Sequence, residues 1–119
     1  GATYNNIIFY AAGNKVYKLD ISTGSSKVIY QSDDARATIS CLRIAVGQFS
    51  WNDGNDNLGT DTYEHPYSRL LGVAVNKSDG TGELVVLQLN AAGKVDDDHK
   101  FPSTQIHKGF GKIKDIAFI

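Results

Sequence analysis

Methionine is absent from this chain, cysteine occurs once, and neither sign of charge prevails. A lone Cys41 permits no internal disulfide and no cysteine-based zinc site. Between Ser40 and Leu42 in an apolar run, it reads as a small buried hydrophobe. The 12 basic and 13 acidic residues leave a net charge of -1, which gives no electrostatic case for nucleic acid or an anionic membrane. Lys15, Lys18, Lys27, Arg36 and Arg43 are scattered and form no block. No apolar run approaches the roughly 18 residues of a transmembrane helix, so no transmembrane segment is expected. The chain starts "GATYNN" without Met, as expected of a processed or trimmed product, and any signal peptide or lipid anchor would then lie upstream. Helical periodicity with a cap and a stop is missing as well.

What remains are strand signals. "IIFYAAGNKVYKLDI" holds two apolar, β-branched and aromatic runs around Gly13-Asn14, the pattern of a tight hairpin. In the second run Tyr17, Leu19 and Ile21 alternate with Lys18 and Asp20, the period of a strand with one buried face. "STGSS" reads as a turn, "KVIYQS" as a short strand, residues 33–37 as a polar loop and "TISCLRIAV" as another strand. After a long polar stretch, "RLLGVAV" and "ELVVLQL" are strands around "NKSDGTG"; "NAAGK" is a turn, residues 94–108 are irregular, and "GKIKDIAFI" is a closing strand. The expected class is all-β, with about eight strands.

The two halves resemble each other. "YKLDISTGSSK" aligns with "LQLNAAGK", and Ile39, Leu42 and Ile44 match Ile113, Ile116 and Phe118 in spacing. Each half then reads as a four-stranded antiparallel meander of the kind that makes a propeller blade. A single β domain or fragment over residues 1–119 would comprise a first repeat at 3–47, a polar loop at 48–69 and a second repeat at 70–119. Two blades cannot close a propeller, so the chain is expected to be a fragment of a larger one, to self-associate through its exposed edges, or to pack its two meanders as a sandwich.

"NIIFYAAGNKVYKLDISTG", "ATISCLRI" and "GFGKIKDIAFI" together resemble the carboxy-terminal propeller-like region of PKD-like lipoproteins of Bacteroides-type bacteria. The resemblance spans most of the chain outside residues 48–69. It implies a cell-envelope protein, at the outer-membrane surface or in the periplasm, associated with nutrient uptake. It implies no catalytic residues.

The segment "WNDGNDNLGTDTYEHPY" holds the strongest site signals. Asp53, Asn55, Asn57, Asp61 and Glu64 fall at positions 1, 3, 5, 9 and 12 of an EF-hand-type calcium loop, and these oxygens suit a hard cation. Leu58 stands where the sharp turn needs Gly, and the flanks carry no helix signal, so the plainer reading is a solvated turn-rich loop with no cofactor. Trp51, Tyr63 and Tyr67, with Phe49 and His65 nearby, offer flat faces beside Asn55 and Asn57, as a glycan would need. The competing reading is that these aromatics pin a long loop to the sheet. Asp96, Asp97, Asp98 and His99 read as a solvated loop, and "GFGK" as a turn before the last strand, since a phosphate loop would follow a strand and open a helix. His65, His99 and His107 fall in expected loops, with Ser68 and Ser103 near two of them, but no Gly-x-Ser-x-Gly motif occurs. The expectation is a non-catalytic binding module for a glycan or a neighbouring envelope protein. The alternative is a purely structural propeller fragment with a calcium-stabilised loop.

Overall fold

The computed structural model describes residues 6–49, 67–89 and 104–119. Its strands are β1 (Ile7–Ala12), β2 (Lys15–Asp20), β3 (Ser25–Gln31), β4 (Thr38–Phe49), β5 (Tyr67–Asn76), β6 (Gly82–Leu89) and β7 (Thr104–Phe110). They form two antiparallel sheets ordered β1-β2-β3 and β4-β5-β6-β7, so the protein is all-β.

Local chemistry sets the turns. Ala12 pairs with Lys15, leaving Gly13 and Asn14 as a two-residue loop. Gly13 has φ 61° and, among the described residues, no non-glycine has positive φ, which fits a type II′ turn with Gly first. The β2–β3 turn is fastened by Asp20 Oδ1, which accepts from the Ser22 N–H at 2.9 Å and the Ser22 hydroxyl at 2.6 Å. The β5–β6 turn repeats the device, with Asp79 Oδ1 accepting from the Thr81 N–H and hydroxyl at 2.9 and 2.6 Å. In both, the carboxylate satisfies a turn donor that the strands leave unpaired.

The core lies between the sheets. Leu71, Val73 and Val75 of β5 and Val85, Leu87 and Leu89 of β6 are buried on one face, opposite Val16, with Ala37 and Ile39. Phe9, Ala11, Ile29, Tyr30 and Leu42 pack around them. Each such Val or Leu contributes about 1.5–3 kcal/mol by leaving water. β1 shows the alternation this requires, with Ile7, Phe9 and Ala11 turned inward and Ile8, Tyr10 and Ala12 outward. On the outer side Tyr10 stacks on Tyr17, its directly opposed neighbour, with ring centroids 4.9 Å apart.

Two expectations are corrected. "TISCLRIAV" does not complete the first meander: as β4 it pairs with β5, leaving a three-stranded sheet beside a four-stranded one. "GKIKDIAFI" is not a strand, and its place beside β6 is taken by β7, which begins inside the stretch expected to be irregular. "GFGK" therefore ends a strand instead of feeding one, with Gly109 at φ 95°. The meanders that do correspond are β1-β2-β3 and β5-β6-β7.

The terminal residues cover the sheet's second face. The Asn76 side chain brackets Ile113, donating from Nδ2 to its carbonyl at 2.9 Å and accepting its N–H on Oδ1 at 2.8 Å. The Ser40 hydroxyl also donates to the Ile113 carbonyl at 2.9 Å. A Cβ on Gly72 would sit 3.1 Å from Ile116 Cδ1, and one on Gly82 would run into the Gly111 carbonyl oxygen. The missing side chains thus make the channel in which the tail lies. Buried on both faces, β5 and β6 read as near-continuous apolar runs.

Candidate functional site

The segment that the sequence singles out, with Trp51, Asp53, Asn55, Asn57, Asp61, Tyr63 and Glu64, lies outside the described residues, as do Asp96, Asp97, Asp98 and His99. Tyr67 opens β5 and pairs with Phe49, so residues 50–66 leave and rejoin the sheet at one place. Its side chain is outside the description. His107, expected in a loop, lies on β7 with Nε2 3.2 Å from Gln105 Oε1. Cys41 is half-buried instead of fully buried, because the register shift between Ile39 and Cys41 lifts it out of the core row. Its thiol donates to Asp115 Oδ1 at 3.2 Å, and Arg43 Nη2 donates to the same oxygen at 2.7 Å. The Cys41 thiol, then the Ile116 N–H and the Arg43 charge, hold the Asp115 carboxyl below its usual value. Among the described residues, no three His, Cys, Asp or Glu converge to hold a metal ion.

Two grooves stand out. The first lies between β1 and β4, which are edge strands of different sheets. Their adjacent ends are pinned by the Ile39 N–H, which donates to the Gly13 carbonyl at 2.9 Å. From that pin the strands diverge into a groove of about 540 Å³, lined by Ile7, Ile8, Phe9, Leu42, Ile44 and Val46, with Arg43, Arg69 and Leu71. Ile44 and Val46 are 44% and 71% exposed. Neither edge pairs with a further strand among the described residues, so unused backbone donors and acceptors border an apolar floor. The Phe49–Tyr67 pair, from which residues 50–66 depart, is the next pair beyond Val46 and Arg69.

The second groove sits at the opposite end of β4. There the loop at 32–37 is tied to the β5–β6 turn by Asp34 Oδ2, which accepts from the Ser78 N–H and hydroxyl, both at 2.8 Å. Asp34 Oδ1 accepts from the Arg36 N–H at 2.9 Å. These bonds, with the Ser78 N–H contributing most, hold the Asp34 carboxyl below its usual value. Lys77 reaches Asp33 at 3.1 Å and the buried Glu83 at 3.6 Å. The hydrogen bond to Asp33, more than the Glu83 charge, raises the Lys77 pKa. Beside this knot lies a polar groove of about 430 Å³, lined by Arg36, Thr38, Ser40, Asn76, Lys77, Ser78, Gly80 and Lys112.

No family model matches this chain, and neither does any curated protein or solved structure. The two grooves escape sequence reasoning, since each joins residues from distant strands. The apolar run "LRIAV" within the long edge strand β4 is the one local trace of the first, and the second has none.

Proposed function

We propose that this chain is a non-catalytic binding module that receives an extended segment of a partner protein between β1 and β4. The observation that supports it is the pair of unpaired edges, pinned at Gly13 and Ile39 and parted over an apolar floor. An entering strand would hydrogen-bond to an edge, and its alternate side chains would cover Ile44, Val46 and Phe9. The resemblance to envelope lipoproteins supports a neighbouring envelope protein as the partner, at the outer-membrane surface or in the periplasm. The expected self-association would use the same edges, with a second copy as the occupant.

A glycan ligand is the second reading, favoured by the departure of residues 50–66 beside this groove. Trp51, Tyr63 and Tyr67 would stack on it, and Asn55 and Asn57 would supply hydrogen bonds.

The test is a backbone amide NMR titration with a panel of short extended peptides of alternating Val and Thr, run on the native chain and on Ile44→Lys. Shift changes confined to β1 and β4, lost in Ile44→Lys, are expected. Absence of any change, or unchanged binding by the variant, would overturn strand addition. A parallel titration with oligosaccharides on native and Trp51→Ala chains tests the second reading.

A further inference from the structure

We propose that the segment entering between β1 and β4 is the tail, residues 111–119, of a second copy of this chain, so that copies join head to tail. The proposal rests on strand addition at that groove and names its occupant.

The chain's own two meanders supply the argument. β4 begins by seating Ile39 at the β1–β2 turn, where its N–H donates to the Gly13 carbonyl at 2.9 Å. Ala37 and Ile39 join Val16 in the core, and β4 goes on as the first strand of the next sheet, antiparallel to β5. The tail repeats the first part of this course. Its Ile113 sits at Asn76, the last residue of β5 before the β5–β6 turn, and donates its N–H to the Asn76 Oδ1 at 2.8 Å. Ile116 and Phe118 then lie over Gly72, at the spacing of Leu42 and Ile44 in β4. The tail thus stands to the second sheet as the start of β4 stands to the first. Among the described residues it pairs with no strand, and β1 has a neighbour on one side only. A tail laid beside a second copy's β1 gives each what β4 and β5 give one another.

Backbone geometry makes β1 a suitable edge. Asn6 accepts from the Ile21 N–H at 2.7 Å, so Ile8, Tyr10 and Ala12, in the same row as Asn6, direct their backbone groups at β2. Those of Ile7, Phe9 and Ala11 therefore point to the open edge. Gly13, next in that row, already accepts from Ile39 across it.

The side chains agree. Ile8, Tyr10, Tyr17, Leu19 and Val28 are linked by direct pairing and share the outer face of the first sheet, where Ile8, Tyr10 and Val28 are exposed. Phe118 and Ile119 of the tail are exposed as well. Seating the first sheet of one copy on the tail-covered face of another buries these two apolar surfaces against each other, as the two sheets within one chain already do. The surfaces in contact differ, so the association is heterologous, and it either closes into a ring or extends.

The test uses two variants of the full chain, each with one surface spoiled. Ile8→Lys puts a charge on the face beside β1 and leaves the tail intact, whereas Phe118→Lys does the reverse. Both positions are exposed, so both variants should keep the native melting temperature. Should Phe118→Lys melt early, Ile119→Lys takes its place. In sedimentation, the native chain should gain mass with concentration and pass beyond two copies. Each variant alone should stay monomeric. Their mixture should form a species of one copy of each and nothing larger, because one sound tail and one sound β1 face remain. Variants that still self-associate, a mixture that stays monomeric, or a native chain that is monomeric at every concentration would overturn the proposal. An amide titration of the native chain with a peptide of residues 111–119 separates this from strand addition itself. Shifts in β1 with the Val and Thr peptides but none with this one would remove the tail as occupant and leave strand addition standing. No shift with any peptide would remove both.

Discussion

Single residues carry several of the conflicts in this fold. Gln88 on β6 is fully buried, and among the described residues neither its Nε2 nor its Oε1 finds a hydrogen-bond partner. An amide in that state costs about 1–3 kcal/mol relative to an apolar side chain of the same shape. Gln88→Met keeps the length and removes the polar atoms, so it should raise unfolding stability by about that amount, read from urea midpoints. A fall in stability would mean that the amide is satisfied. At Asp20 and Asp79, by contrast, each carboxylate is placed where a turn needs an acceptor. The Ser22 and Thr81 hydroxyls respectively hold their carboxyls below the usual value. These turns were legible in "LDISTG" and "NKSDGTG", because an Asp that caps its own turn acts over a few residues. Gln88 was not legible, since nothing next to it in "VLQLN" says that both faces of β6 are covered.

At the scale of the element, the last nine residues are the instructive failure. "GKIKDIAFI" has strand composition, and Ile113, Ile116 and Phe118 match the spacing of Ile39, Leu42 and Ile44 in β4. Only one edge of β6 was free beside β5, and β7 occupies it, so the tail lies across the sheet with its backbone held by Asn76 and Ser40. Glycine makes room for it. Gly82→Ala puts a methyl against the backbone carbonyl of Gly111, whereas Gly72→Ala meets mainly the side-chain ends of Ile116 and Phe118. Gly82→Ala should therefore destabilise by about 1–3 kcal/mol and Gly72→Ala by less, in chemical denaturation. Equal effects would mean that the tail shifts as easily at its root as at its end. β4 is the matching case: its sequence gave a strand correctly, but pairing with β5 instead of the first meander is a choice between partners that alternation cannot express.

At the scale of the molecule, electrostatics tie the two sheets at one end. Asp34 joins the 32–37 loop to the β5–β6 turn, and the carboxyls of Asp20, Asp34, Asp79 and Asp115 are all lowered from 3.8. A carboxyl lowered on folding binds its proton more readily when unfolded. Its stabilisation is therefore complete above the unfolded value and is lost as pH falls through the folded one. Lys77, raised from 10.5, acts oppositely: its contribution is complete below that value and fades as pH rises through the folded one. Melting temperature should accordingly change little between about pH 5 and 9 and fall below about pH 4. Asp34→Asn should be less stable at neutral pH and lose less on acidification; an unchanged acid slope would remove Asp34 from this account. A calcium-stabilised loop at Asp53, Asn55, Asn57, Asp61 and Glu64 would show as a melting temperature raised by calcium and restored by chelator. No shift would leave those residues as turn formers.

The sequence by itself determined the all-β class, the Gly13-Asn14 hairpin, the polar turns and most strand positions, because these follow from side-chain alternation and backbone preference over a few residues. Tertiary structure alone decided which strands became edges, that β1 and β4 lie side by side and part into a groove, and that Arg36 and Lys112 flank another. Those outcomes depend on competition among distant segments for the same hydrogen-bonding edges and the same apolar face, and no local pattern records who wins it.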